Sequence, residues 1–422
     1  MLTKEINDLL TRTGPGTPTG ELMRRYWMPA ALSAELPEVD GPPVRIKLLG
    51  EDLVAFRNSD GRIGLLEEFC AHRGASLFLG RNEECGLRCV YHGWKYDWNG
   101  NCVDMPNEPA DSPFKEKIHL NAYPTVERGD VVWAYMGSKE KMPPPPAFEW
   151  TTVSKEHRCV SKTWQECNWL QALEGGIDTT HGAFLHRAIS TETKKAGINP
   201  QDIRVQHLVP QQEIELTDYG FLYASIRSLG EKGTFFRTYH YALPIYQFWA
   251  VVNDARSSAS NMWVPMDDGN CMVYSLMYRH TGVPFTSAEK LEFDRRNGRD
   301  RLGVDFRKLR NKDNDWMLDR QAQKRETFTG IEGINLQDHA VQESMGPIVD
   351  RSREHLVASD KAIVAARHLL LHAVRKIEQK EDPPNIWPSC GQIRAIHRTL
   401  PAGMDWRDAL KREASGKVSL QD

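Results

Sequence analysis

A chain of 422 residues is longer than one ordinary domain, and its 40% hydrophobic and 9% aromatic content is enough to build packed cores. A formal net charge of −3 argues against a polyanion partner, so no nucleic acid is expected. Residues 1–20 hold no apolar stretch of the signal-peptide kind and no run is apolar enough for a membrane span, so a cytoplasmic protein without membrane attachment is expected.

In chain order, residues 1–40 are read as a helical N-terminal segment. From about Pro43 to Tyr135 the runs VRIKLLG, DLVAFRN, RIGLLEE, LRCVYHG and VVWAYMG look like short strands. Turn signals such as Ser59-Asp60-Gly61 and Asn99-Gly100 separate them, which predicts a small antiparallel β domain over 41–147. The polyproline run Met142–Ala147 is a stiff linker and marks its end.

The remainder, 148–422, is expected to start with a helix over about Cys167–Arg187. The strands FLYASIRS, TFFRTYHYA, YQFWAVVN and CMVYSLMYR follow, with Asp267-Asp268-Gly269 as the hairpin turn between the last two. Helical patterns then dominate. The clearest runs from Ser359 to Lys380, with Ser-Asp as its N-cap. The fold class is therefore α+β: a small all-β domain, then a helix-grip domain in which a curved antiparallel sheet holds long helices.

Of eight cysteines, only Cys70 and Cys89 stand beside histidines at ligand-like spacing. The pattern is Cys70-x-His72, sixteen residues, then Cys89-x-x-His92. A structural zinc site pairs cysteine with cysteine and histidine with histidine. Here each half carries one of each, as a Rieske [2Fe–2S] cluster requires: Cys70 and Cys89 on one iron, His72 and His92 on the other. Gly74, Gly86 and Gly93 flank these residues where the backbone must turn tightly.

A cluster domain alone needs little more than a hundred residues, so the rest of the chain calls for a second centre. Asp178-x-x-His181-x₄-His186 supplies two imidazoles near a carboxylate, the beginning of a facial triad for Fe(II). An i,i+5 pair diverges on an ideal helix, so the helix must break or widen near Gly182.

The strings CAHRGASL (Cys70–Leu77) and CVYHGWKYDWNG (Cys89–Gly100) resemble those of Rieske non-haem iron aromatic-ring oxygenase α subunits. GELMRRYWMPA (Gly20–Ala30), EGGIDTTHGAFLHR (Glu174–Arg187) and AVQESMGPIVDRSREHL (Ala340–Leu356) are similar to the phthalate dioxygenase group. The resemblance implies Asp338 as the carboxylate ligand, with Glu332, Glu343 and Asp350 as competitors. It implies that Asp178 bridges His92 of one subunit to His181 of the next, carrying electrons across the interface of a homotrimer or of stacked trimers. It further implies O₂ and an aromatic acid as substrates, and electrons from a separate NAD(P)H-dependent flavin and [2Fe–2S] reductase. The product would be a cis-dihydrodiol or, as an alternative, the phenol and formaldehyde of O-demethylation. A non-enzymatic Rieske electron-transfer protein is the rival of another class. Arg227 and Arg237, each on an aromatic strand face, are candidate partners for a substrate carboxylate.

Overall fold

The computed structural model describes residues 2–193, 197–252, 254, 256–296, 300–384 and 390–414. They form two compact units: one spans Arg12–Pro146 with Val264–Asp268, and the other holds the remaining described residues. Near the N-terminus, α1 (Lys4–Thr11) belongs to the second unit and α2 (Pro18–Met23) to the first.

The strands of the first unit are β1 (Trp27–Leu32), β2 (Val44–Leu48), β3 (Glu51–Arg57), β4 (Ile63–Glu67), β5 (Arg81–Glu83), β6 (Gly86–Arg88), β7 (Lys95–Tyr96), β8 (Cys102–Asp104), β9 (Thr125–Arg128) and β10 (Val131–Tyr135). They make three antiparallel sheets, in the orders β2-β3-β4, β5-β6-β7-β8 and β1-β10-β9. Val54, Phe56, Leu66, Leu77, Leu87 and Trp94 close one apolar core that also contains Cys70 and Cys89. Burying each large apolar member contributes about 1.5–3 kcal/mol. The run LRCVYHG is strand only at Leu87 and Arg88, the end of β6. Beyond it the Cys89 N–H bonds to Trp94 O within the same loop, so no neighbouring strand can pair there.

The helices of the second unit after α1 are α3 (Glu149–Thr152), α4 (Trp169–Ile177), α5 (Gly182–Leu185), α6 (Ile203–Gln206), α7 (Ser287–Arg296), α8 (Arg320–Arg325), α9 (Ile334–Ser344), α10 (Lys361–Glu378) and α11 (Trp406–Ala414). Its sheet is built from β11 (Arg158–Gln165), β12 (Gln211–Leu216), β13 (Gly220–Ser228), β14 (Thr234–Ala242), β15 (Tyr246–Ala250), β16 (Ser257–Asp267), β17 (Asn270–Arg279) and β18 (His397–Leu400). The order is β11-β17-β16-β15-β14-β13-β12, with β18 beside the first half of β14. The Asp268-Gly269 turn joins β16 to β17. β16 was not anticipated, because its serine-rich start and Pro265 hide the alternation of a strand. Among the described residues no helix is long and apolar enough to cross a membrane.

Two helices depart from the pattern expected of them. The helix expected over Ser359–Lys380 is α10, Lys361–Glu378. Its Ser-Asp start is a 3₁₀ turn, in which the Asp360 carboxylate accepts from the Val357 N–H instead of capping forward. The helix expected over Cys167–Arg187 is α4 and α5, parted at Asp178–His181. Asn168 caps α4 by accepting from the Leu170 N–H. Near its other end, Gly175 and Gly176 would each cost about 1 kcal/mol against alanine in an ordinary helix. Packing explains them: a Cβ would lie 1.9 Å from Gln342 Nε2 at position 175 and 2.2 Å from the Trp263 ring at 176. The buried Glu174 carboxylate accepts from Arg351 and Arg367, tying α4 to α10.

Candidate active site

The two Cys/His loops of the first unit share one backbone turn. Each cysteine N–H donates to a carbonyl further along its loop, Cys70 to Ala75 O at 2.9 Å and Cys89 to Trp94 O at 2.8 Å. Each cysteine carbonyl accepts from a glycine N–H, Gly74 at 2.9 Å and Gly93 at 3.0 Å. Those glycines have φ of +73° and +80°, where a side chain would be strained. Gly86 serves differently, since a Cβ there would meet Tyr96 O at 2.8 Å.

The His72 and His92 rings lie 4.4 Å apart at 71°, and His72 stacks on Trp94 at 4.5 Å. Both cysteines are buried, and His72 Nδ1 is buried without a hydrogen-bond partner. A buried ring nitrogen lacking a partner, beside two thiols and a second imidazole, fits the donor set that a Rieske cluster requires. The Tyr96 hydroxyl sits 3.3 Å from Cys70 Sγ. Burial, and then the Cys70 hydrogen bond, push the Tyr96 phenol well above its ordinary value, so it is a donor.

In the second unit the chain leaves the helix before His181, not at Gly182. Asp178 causes the break: its Oδ1 accepts from Thr180 N–H at 2.8 Å and Thr180 Oγ1 at 2.7 Å. Its Oδ2 accepts from His181 N–H at 3.2 Å and His181 Nδ1 at 3.3 Å. After the single turn of α5 the backbone leaves the helix again at His186, which brings the two rings to 5.1 Å at 83°. His186 Nδ1 lies 2.7 Å from Gln337 Oε1.

Asp338 on α9 completes the group. Its Oδ1 is 3.4 Å from His181 Nε2 and 3.2 Å from His186 Nε2, and is buried with no hydrogen-bond partner. The three ligand atoms lie within 4.8 Å of one another. Burial opposes charge on His181, but the Asp178 hydrogen bond and the Asp338 and Asp178 carboxylates outweigh it and hold the imidazole at about 9. Two imidazole nitrogens and an unpartnered carboxylate oxygen in a field that attracts cations fit Fe(II). The competitors are engaged elsewhere. Glu332 pairs with Arg310 at 2.6 Å, the buried Glu343 with Lys308 at 2.6 Å, and Asp350 accepts from Ser352.

Asp178, His181, His186 and Asp338 line a cavity of about 340 Å³, within the range of small-molecule sites. Its wall includes Arg237, Tyr239, Trp249 and Arg204. Arg237 donates to Ala250 O at 3.1 Å and to the Tyr239 hydroxyl at 3.2 Å, and none of the described carboxylates forms a salt bridge with it. Arg204 is held by Asp202 at 2.7 Å. Arg227 is not on the wall. It is buried, donating to His207 O and Ser225 Oγ. Sequence reasoning missed Arg204, because α6 is a single turn without a readable period, and missed Gln337, whose role depends on a contact from a distant segment.

Residues 26–124 match the family model of the Rieske [2Fe-2S] domain, and residues 134–419 that of the LigXa C-terminal domain like family. The chain is 38% identical to the 3-chlorobenzoate-3,4-dioxygenase oxygenase subunit of Comamonas testosteroni, over 99% of each chain. It is 37% identical to the phthalate 4,5-dioxygenase oxygenase subunit of Pseudomonas putida, over 97% of this chain and 94% of that one. Its fold is like that of the NdmA QL mutant of Pseudomonas putida CBB5 with caffeine, with a TM-score of 0.62, 20% identity, and coverage of 92% and 99% of the two chains. With both family models matched and whole-chain relatives at this identity, the chain belongs to the Rieske non-haem iron oxygenase α subunits of the phthalate dioxygenase-like group.

Proposed function

We propose that the chain is the terminal oxygenase that hydroxylates an aromatic carboxylate, most simply by dihydroxylation, with electrons passed from NAD(P)H by a separate flavin and [2Fe–2S] reductase. Cys70, His72, Cys89 and His92 hold the cluster, and His181, His186 and Asp338 hold the iron. When bound, the cluster supplies single electrons and the iron supplies open positions for O₂. The protein's own part is to orient the ligands, exclude water and anchor the substrate. The observation that carries the substrate class is Arg237, a guanidinium on the cavity wall with only neutral partners. Burial, reinforced by the nearby Arg204 charge, holds it below its ordinary value, so a carboxylate there gains a charge-assisted bond.

A cytoplasmic homotrimer is part of this reading, with Asp178 bridging His92 and His181 of adjacent copies. Support comes from apolar side chains left exposed beside each centre: Val90 and Tyr91 next to His92, and Phe184 near His186.

The test is product analysis on a panel of benzoates, phthalates and methoxybenzoates with a surrogate reductase. Diols are expected; formaldehyde from methoxybenzoates alone would shift the reading to O-demethylation, and no product with any aromatic acid would overturn it. Arg237→Gln is expected to raise KM for the aromatic acid roughly 10- to 100-fold, the loss of a hydrogen bond to a charged group, with a smaller effect on kcat. Steady-state kinetics against an uncharged aromatic analogue checks it, since the analogue should lose much less.

For the cluster, Tyr96→Phe is expected to lower the reduction potential. A bond to a cluster sulfur favours the more negative, reduced state, and about 1 kcal/mol of difference corresponds to roughly 40 mV for one electron. Redox titration of the Rieske EPR signal reads it, and an unchanged potential would place the Tyr96 bond outside the ligand set.

A further inference from the structure

Gln337 precedes Asp338 on α9, is fully buried, and has both ends of its amide engaged. Its Nε2 donates to Ile331 O at 2.8 Å, and its Oε1 lies 2.7 Å from His186 Nδ1. A backbone carbonyl cannot donate, so Ile331 fixes which end of the amide is nitrogen. Oε1 must then face His186, and Nδ1 must carry the proton. That leaves the lone pair of His186 on Nε2, the atom 3.2 Å from Asp338 Oδ1. The two histidines are thus oriented by different chemistry, His181 by the Asp178 carboxylate and His186 by a neutral amide anchored to main chain.

We infer that Gln337 is a positioning residue for the iron: through the chain Ile331 O, Gln337 and His186 Nδ1 it holds His186 in its metal-binding tautomer and ring orientation. This rests on the proposed assignment of His181, His186 and Asp338 as the iron ligands. Position 337 then needs an acceptor toward His186, whereas mere filling of space would be met by any side chain of similar volume. A partner of this kind is worth roughly 10- to 100-fold in metal affinity.

The test uses the full chain with its cluster intact, stripped of mononuclear metal and titrated with Fe(II) and, as a spectroscopic probe, with Co(II). Gln337→Leu keeps the volume and removes the acceptor. Its Fe(II) and Co(II) dissociation constants are expected to rise roughly 10- to 100-fold, with a changed Co(II) ligand-field spectrum and an unchanged Rieske spectrum. Gln337→Glu keeps an acceptor facing Nδ1 and is expected to bind both metals within a few-fold of the parent, although it loses the bond to Ile331 O. Parent-like affinity and Co(II) spectrum in Gln337→Leu would overturn the inference, as would equal losses in both variants, which a purely structural role predicts. If Gln337→Leu does not fold, Gln337→Glu decides alone: retained affinity supports the inference and lost affinity overturns it. His186→Ala in the same titration separates the two levels, because unchanged metal binding there would sink the ligand assignment itself.

Discussion

Asp338→Ala is expected to lose the mononuclear iron and stop turnover while leaving the Rieske absorption and EPR signals intact. Iron analysis should fall from about three to about two per chain, because the cluster accounts for two and lies in the other unit. The loss of activity should exceed the roughly 10- to 100-fold that removal of an outer partner costs, since a facial triad has only three protein ligands to give. Stability supplies a second readout. Asp338 Oδ1 is a buried acceptor without a donor, so the metal-free protein gives up no hydrogen bond when that oxygen is removed. What it gives up is the attraction to the His181 imidazolium, so at neutral pH thermal unfolding of the metal-free variant should lie modestly below the metal-free parent, and the stabilisation by added Fe(II) should vanish. Retained iron and activity would move the third ligand to Glu332, Glu343 or Asp350. Each would then have to abandon the partner it holds, Arg310, Lys308 or Ser352.

Asp178→Asn is expected to keep both metal centres at saturating Fe(II), keep the oligomeric state of the parent, and retain a fully reducible cluster. What should fail is reoxidation of that cluster in the presence of substrate and O₂, by roughly 100-fold, the upper end for an outer partner. The carboxylate accepts four hydrogen bonds within its own loop, so it has a local task as well as the proposed bridging one. The two from His181 are the longer pair, and Oδ2, which accepts them, is the oxygen that the proposed bridge uses. An amide can accept at one end only. If it keeps the Thr180 bonds, its NH₂ faces the His181 donors and the path through Oδ2 is lost. Should Asp178 act only as a local cap, single-turnover reoxidation would run near the parent rate. The bridge would then have to be abandoned.

The candidate ligand residues stood out in the sequence because the chemistry proposed for them restricts residue type and spacing together. Cys70, His72, Cys89 and His92 form a pattern that zinc sites do not use, and the two Cys-to-Gly turns repeat the same distance along the chain. The helix-like apolar spacing of α10 was equally plain, and the structure buries Ala362, Ile363, Ala366, Leu370, Ala373 and Val374. The break before His181 was harder to place, since it depends on which backbone N–H groups the Asp178 carboxylate captures. Arg227 and Arg237 show where periodicity stops. Cross-strand pairs Arg227↔Phe235 and Ser225↔Arg237 put both arginines on one face of the sheet. Only the surrounding loops decide that Arg237 reaches the cavity while Arg227 is taken up by His207 O. Alternation tells which side of a sheet a residue is on, and not how far along the strand the ligand space extends.

In the Rieske loops, the bonds that close each turn come from main chain, and the atoms offered to iron come from side chains. The two sets do not overlap. Cys70 and Cys89 bond through N–H and C=O to Ala75, Gly74, Trp94 and Gly93, and every one of those contacts is made without sulfur or imidazole. Exchanging a sulfur or an imidazole here therefore takes away an atom offered to iron without removing any of the four bonds that close the turns.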